Sequence, residues 1–180
     1  MTMFKTVAKI LAAVSAAVLL LSGCSTPGPK VAAVVGDAQI TVKQVDSVAH
    51  AAATSYAQVS TGTVPTWGQL RAPVVNVLVT GRLISLAMQV ANVQVSQAQL
   101  TQLYNSDAFL KALAADPEGA QLAQSLALMS LAQNSPAIQS AYAQVVGNTV
   151  VEVNPQFGVW SASAGSLTGQ TGSLSSELTS

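Results

Sequence analysis

Two side chains in this 180-residue sequence offer chemistry that no other residue duplicates: a single cysteine, Cys24, and a single histidine, His50. A thiolate is a nucleophile, and the placing of Cys24 gives it a use. Lys5 and Lys9 supply a positive start, Ile10–Leu21 is an apolar run, and the small residues Ser22 and Gly23 come directly before the Cys. That order is the one a secretory signal follows. The run is too short for a membrane span, which needs about 20 residues. His50 has no second His or Cys to join it in a zinc site. The seven carboxylates are scattered, and Asp116 and Glu118 flank a helix start where capping explains them. No Gly-rich phosphate loop occurs. No acid–base pair or nucleophile–base constellation can be assembled. The expectation is therefore a protein that is not an enzyme and that uses no cofactor or metal.

Leu21-Ser22-Gly23-Cys24 looks like a lipobox, the tetrapeptide at which exported lipoproteins are acylated and cut. Residues 1–23 are then a signal peptide. Cys24 becomes the lipid-bearing N-terminus, and 24–30 form a lipidated tether in which Pro27 and Pro29 keep the chain out of helix and strand. The alternative is an ordinary signal peptide with an incidental Cys. It leaves unexplained why the one Cys stands at the cleavage point. A lone Cys also means that no disulfide staples the fold. Removing 23 of 180 residues leaves 157, which suits one core. Five basic residues remain (Lys30, Lys43, Arg71, Arg82, Lys111) against seven acidic ones, a formal charge of −2. Nucleic acid is excluded as a partner, because phosphate binding needs clustered Lys and Arg. The expected partner is the lipid membrane, reached through acylated Cys24, and the expected location is the cell membrane, facing outside the cytoplasm.

The remaining chain must build a platform on that anchor. Val31–Val35 reads as a strand, Gly36-Asp37 as a two-residue hairpin turn and Ala38–Ile40 as the return strand. Thr41 with Gln44 forms a capping box, stapled by Ile40 and Val45, and opens a helix over about 42–60. Thr66 with Gln69 is a second box. Pro73 either interrupts a helix begun there or sits in the first turn of a new one. Val74–Val93 is apolar on most sides. Central Arg82 costs about 2.5–3.5 kcal/mol in a bilayer, so a buried core helix is favoured over a membrane span, although Val74–Val79 alone also passes as a strand. Ser96 with Gln99 is a third box, and its helix is expected to break near Asn105-Ser106-Asp107. Asp116-Pro117 and Ser135-Pro136 each read as N-cap plus first-turn Pro. The last helix is expected to end at Gly147. Thr149–Val153 reads as a strand, Asn154–Gly158 as a turn, and 161–180 as a flexible Ser/Gly/Thr-rich tail. An isolated hairpin is marginal in water. Its third strand is sought in 149–153, so the ends of the domain should meet.

Several segments, in this order, resemble the N-terminal chaperone domain of the SurA type. They are Val34-Val35-Gly36-Asp37, Ile40-Thr41, Arg82-Leu83-Ile84 with Ala91, Val95-Ser96, and the stretch from Val151 to Trp160. The resemblance covers about 31–160. It implies a mostly α fold: a helical domain of about five helices, with a small sheet formed by the N-terminal β-hairpin and a C-terminal strand. It also implies binding of non-native or secreted polypeptide. No segment is left over for a parvulin-type isomerase. The aromatic residues Trp67, Tyr104, Phe109 and Trp160, with Phe157, are the candidates to line a peptide groove. Aromatics at such spacing otherwise belong to the core. Two further functions stay open: an adaptor for one folded envelope partner, and a carrier of an apolar small molecule.

Overall fold

A computed structural model of the chain describes residues 27–169. The expected leader, Cys24 and residues 170–180 lie outside that range. Among the described residues, six helices and five strands follow in the order β1 (Val31–Val35), β2 (Ala38–Thr41), α1 (Val42–Val59), α2 (Trp67–Val90), α3 (Gln97–Ser106), α4 (Ala108–Ala115), α5 (Ala120–Gln133), α6 (Pro136–Asn148), β3 (Val151–Val153), β4 (Val159–Ser161) and β5 (Ser166–Thr168). The chain is mostly α with a small antiparallel sheet, as the sequence implies.

β1 is the middle strand of the sheet β2-β1-β3. Val35 opposes Ala38, so Gly36-Asp37 is the whole turn. Gly36 takes positive φ (60°), the pattern of a type II′ turn, which a Cβ would resist. On its other edge β1 pairs Ala33 with Val153 and Val35 with Val151, so the two ends of the domain meet. The register slips between Val31 and Ala33 against β2. The carbonyl of Ala32, in that bulge, accepts the Asn154 N–H at 2.8 Å, and the Asn154 side-chain amide donates to the Val31 carbonyl at 3.2 Å. Asn154 thus ties β3 to the irregular end of β1.

Local signals set the helix starts. Thr41 Oγ1 accepts from the Gln44 N–H (3.1 Å). Ser96 Oγ does the same for Gln99 (3.2 Å), and Gln99 Oε1 accepts from the Ser96 N–H (2.9 Å). Each such cap is worth about 1 kcal/mol. At α2, Gln69 accepts from the Thr66 N–H (2.8 Å) while its own N–H turns to the Thr66 carbonyl (3.0 Å). Asp107 is the break: it ends α3 and accepts from the Leu110 N–H (2.8 Å) to start α4. That break makes six helices where about five were expected.

α2 is the central post. It packs against α1, α5 and α6 and touches β1. It is long and apolar enough to cross a bilayer, yet its apolar positions Val75, Leu78, Val79, Leu83 and Ile84 lie inside the domain core. Pro73 neither stops nor starts this helix, contrary to both expectations. It sits on the exposed side, where water can serve the carbonyl that lost its N–H, while Val74, Val75 and Leu78 are buried on the other side. Burial of that stripe outweighs a penalty of about 3 kcal/mol.

Three boundaries differ from the sequence reading. Asp116 does not open α5; its Oδ1 takes the Glu118 N–H (2.8 Å) and its carbonyl takes the Ala120 N–H (2.9 Å), making a turn that delivers the chain to a helix starting at Ala120. Gly147 stays inside α6, and the helix ends where the Thr149 N–H meets the Val145 carbonyl (2.9 Å), so β3 starts at Val151. The largest difference is at 161–169, expected to be part of a flexible tail. There β4 and β5 form a second hairpin, with Trp160 opposite Leu167. Leu167 is buried, and its N–H donates to Asn76 Oδ1 of α2 at 2.9 Å. One leucine and two long-range hydrogen bonds, the second from the Tyr142 hydroxyl to the Gly165 carbonyl, order a segment whose composition reads as disordered.

Candidate functional site

Three helices leave a concavity with an apolar floor. α2 contributes Thr80 and Ile84, α5 contributes Met129, Ala132 and Gln133, and α6 contributes Gln139 and Tyr142. The groove is open to solvent and its volume is about 310 Å³. α5 ends at Gln133, α6 starts at Pro136, and both pack on α2, so the concavity lies among the three helices. Ile84 and Ala132 are buried; Met129, partly exposed, is the flexible, polarisable element of the floor.

The rim is polar but uncharged. Gln139 Nε2 donates to the carbonyls of Ala132 (3.2 Å) and Gln133 (2.8 Å), so this amide closes the C-terminus of α5 and is fixed at the groove edge. Tyr142 donates to the Gly165 carbonyl at 3.2 Å, which joins the groove to the β4–β5 hairpin. Burial pushes the Tyr142 hydroxyl above the usual tyrosine pKa, and a hydrogen bond with Thr80 opposes that rise. At neutral pH the group is an uncharged phenol that can donate or accept. Such a surface can bind apolar side chains and answer backbone amides.

The four aromatic candidates do not assemble in this groove. Trp67, at the start of α2, is 41 % exposed and stacks on His50 of α1 (centroids 4.5 Å apart, 22° between planes). Phe109 of α4 stacks on Tyr56, also of α1 (4.2 Å, 28°). His50 and Tyr56 are six residues apart, a rotation of about 240° on a helix, so the two stacks occupy different sides of α1. Tyr104 is partly buried on α3, where burial raises its pKa, and Trp160 is partly buried on β4. Phe157 is core. Sequence reasoning marks Met129 and Tyr142 only as helix-face residues and misses Thr80, Gln133 and Gln139. Periodicity gives a side chain's face, but not which two helices will close around it.

A second, polar region lies where α1 meets the start of α2. Arg71 Nε bonds Asp46 Oδ1 at 2.7 Å, and its guanidinium lies 5.9 Å from the Trp67 ring and 5.0 Å from Phe157. Two open cavities flank it. One of about 600 Å³ is bordered by Pro29, Lys30, Lys43, Asp46 and His50 among others. The second, of about 520 Å³, is bordered by Thr66, Gln69, Arg71 and Gln156 among others. Among the described residues no three His, Cys, Asp or Glu side chains come together as a metal site. Comparison with models of known families, with curated proteins and with solved structures gives no match.

Proposed function

We propose that the chain is a lipoprotein, anchored through acylated Cys24, whose helical domain holds non-native or secreted polypeptide at the outer side of the membrane as SurA-type chaperone domains do. The observation that carries this reading is the groove of Ile84, Met129 and Ala132 with its rim of Thr80, Gln133, Gln139 and Tyr142. Its volume is at the small end of ligand pockets, so it admits one or two apolar side chains at a time. Amide and hydroxyl groups on the rim satisfy a client backbone without selecting a charge pattern, and affinity should be weak and sequence tolerance broad. The lipobox-like tetrapeptide supports the anchor, and the order hairpin, helices, closing strand supports the family reading.

The test is suppression of aggregation of a denatured secreted protein by the chain 25–180, with no nucleotide present. Wild type should suppress aggregation equally at low and high salt, because no charge among the described residues lines the groove. Met129→Glu, which sets a charge on the floor at a partly exposed position, should remove most of the effect while leaving the fold intact by circular dichroism. No suppression at several-fold excess would reject the holdase reading. A single stoichiometric partner in crosslinked cells would replace it with an adaptor. Prolyl isomerisation, followed in parallel, should be absent.

A further inference from the structure

Three of the five cations outside the expected leader, Lys30, Lys43 and Arg71, gather where the tether enters the fold. The tether is bound down there: the Val31 N–H donates to the Gly28 carbonyl (2.8 Å) and the Val42 N–H to the Lys30 carbonyl (2.9 Å), which sets Lys30 beside the first turn of α1. Lys43, Asp46, Ser47 and His50 recur at helical spacing on one face of α1, next to Pro29 and Lys30. His50 supports Trp67, an exposed indole, and Arg71 holds Asp46, the one carboxylate among the described residues that borders these two cavities. Lys30 and Lys43 are exposed, and among the described residues no carboxylate lies within ion-pair distance of either ammonium. Basic side chains beside an interfacial Trp are what an anionic lipid surface binds.

We propose that this face rests on the bilayer, with anionic phospholipid headgroups in the cavity beside Lys30 and Lys43 and with Trp67 at the headgroup level. The inference deepens the anchored-lipoprotein reading and rests on it. Cys24 is six residues before Lys30, at most about 20 Å of extended chain, so an acylated Cys24 holds this face near the surface. Contact is then an orientation choice at high effective concentration, for which two lysines and one indole suffice. The cavity borders and the tether meet at the same place, which commits the occupant to the membrane that the tether reaches.

The sequence holds one Cys, so the chain 24–180 can be coupled through Cys24 to a maleimide lipid whether or not cells acylate it. Coupled to brominated vesicles, a Trp160→Phe chain reports Trp67 alone, and a Trp67→Phe chain reports Trp160 alone. Trp67 should be quenched on phosphatidylcholine mixed with phosphatidylglycerol, less on phosphatidylcholine alone, and less again at high salt, while Trp160 stays bright throughout. Lys30→Gln and Lys43→Gln should each lower the equilibrium constant for the quenched orientation about five-fold. Equal quenching of the two tryptophans, or quenching of Trp67 that ignores phosphatidylglycerol and both lysines, would overturn the proposal. Mass measurement of Cys24 in protein from membranes separately decides the anchor, so the two failures are distinct.

Discussion

Gly81 lets α2 and α5 touch, and adding one methyl there should separate them. An ideal Cβ on Gly81 would lie 2.5 Å from both Cβ and Oγ of Ser125 and 3.1 Å from its Cα. Carbon pairs settle near about 3.5–4.0 Å, so the overlap is about 1 Å. The hydroxyl can turn away from its bond to the Gln121 carbonyl (3.0 Å). Cβ and Cα of Ser125 can move only with the α5 backbone. Overpacking of this kind costs about 1–3 kcal/mol, and Gly→Ala inside a helix returns up to about 1 kcal/mol. The net expectation for Gly81→Ala is a loss of about 1–2 kcal/mol, or several degrees in Tm. Gly68, in the first turn of the same helix, has no atom within 4 Å of its ideal Cβ. Gly68→Ala should therefore gain about 0.4–1 kcal/mol. Urea unfolding at constant m value reads both. Ser125→Gly added to Gly81→Ala removes the two closest atoms and should recover most of the loss as coupling in a double-mutant cycle. A Gly81→Ala chain as stable as wild type, or additive behaviour with Ser125→Gly, would refute the close crossing of α2 and α5.

Cutting the chain after Ala162 removes β5, the Leu167–Asn76 hydrogen bond and the Tyr142 partner; Tm should fall measurably, and a cut after Asn148, which also removes β3, should lower it further. Tyr142→Phe should cost about 0.5–1.5 kcal/mol at neutral pH through the lost bond to Gly165. Because the folded pKa of Tyr142 lies above its unfolded value, its proton-linked stability is complete below about pH 10 and is lost as pH rises through the folded value; unfolding curves of the Phe variant should decline less steeply there. Cys24→Ser should leave the precursor uncut at this site or release the protein from the membrane fraction, and normal retention of that variant would sink the lipoprotein reading.

Signals that act within a few residues were legible. The Gly36-Asp37 turn, the boxes at Thr41 and Ser96 and the Ser135-Pro136 start all rest on bonds that close locally. The return of β3 to β1 was legible for a different reason: an apolar hairpin with no partner leaves a demand that one remaining strand could meet. The misreadings at Pro73 and at 161–169 share a cause. In both places the deciding contact is distant in sequence, namely the buried stripe of α2 against α1, α5 and α6, and the reach of Asn76 to Leu167 across 91 positions. The groove belongs to the same class, since three helices must be in place before its floor exists.

The pairing of β1 with β3 also orders events in time. Ala33 meets Val153 at the far end of the domain. A chain made from its N-terminus can close the β1–β2 hairpin and wind α1 early, because those contacts are local and fast. The second edge of Val31–Val35, five apolar residues without a charge, stays open until the last helix has passed. Open edges of that composition pair with other chains. Stalled or clipped products ending before Val151 should therefore self-associate, and the time until β3 is made, more than the intrinsic speed of helix formation, sets how long each molecule spends exposed.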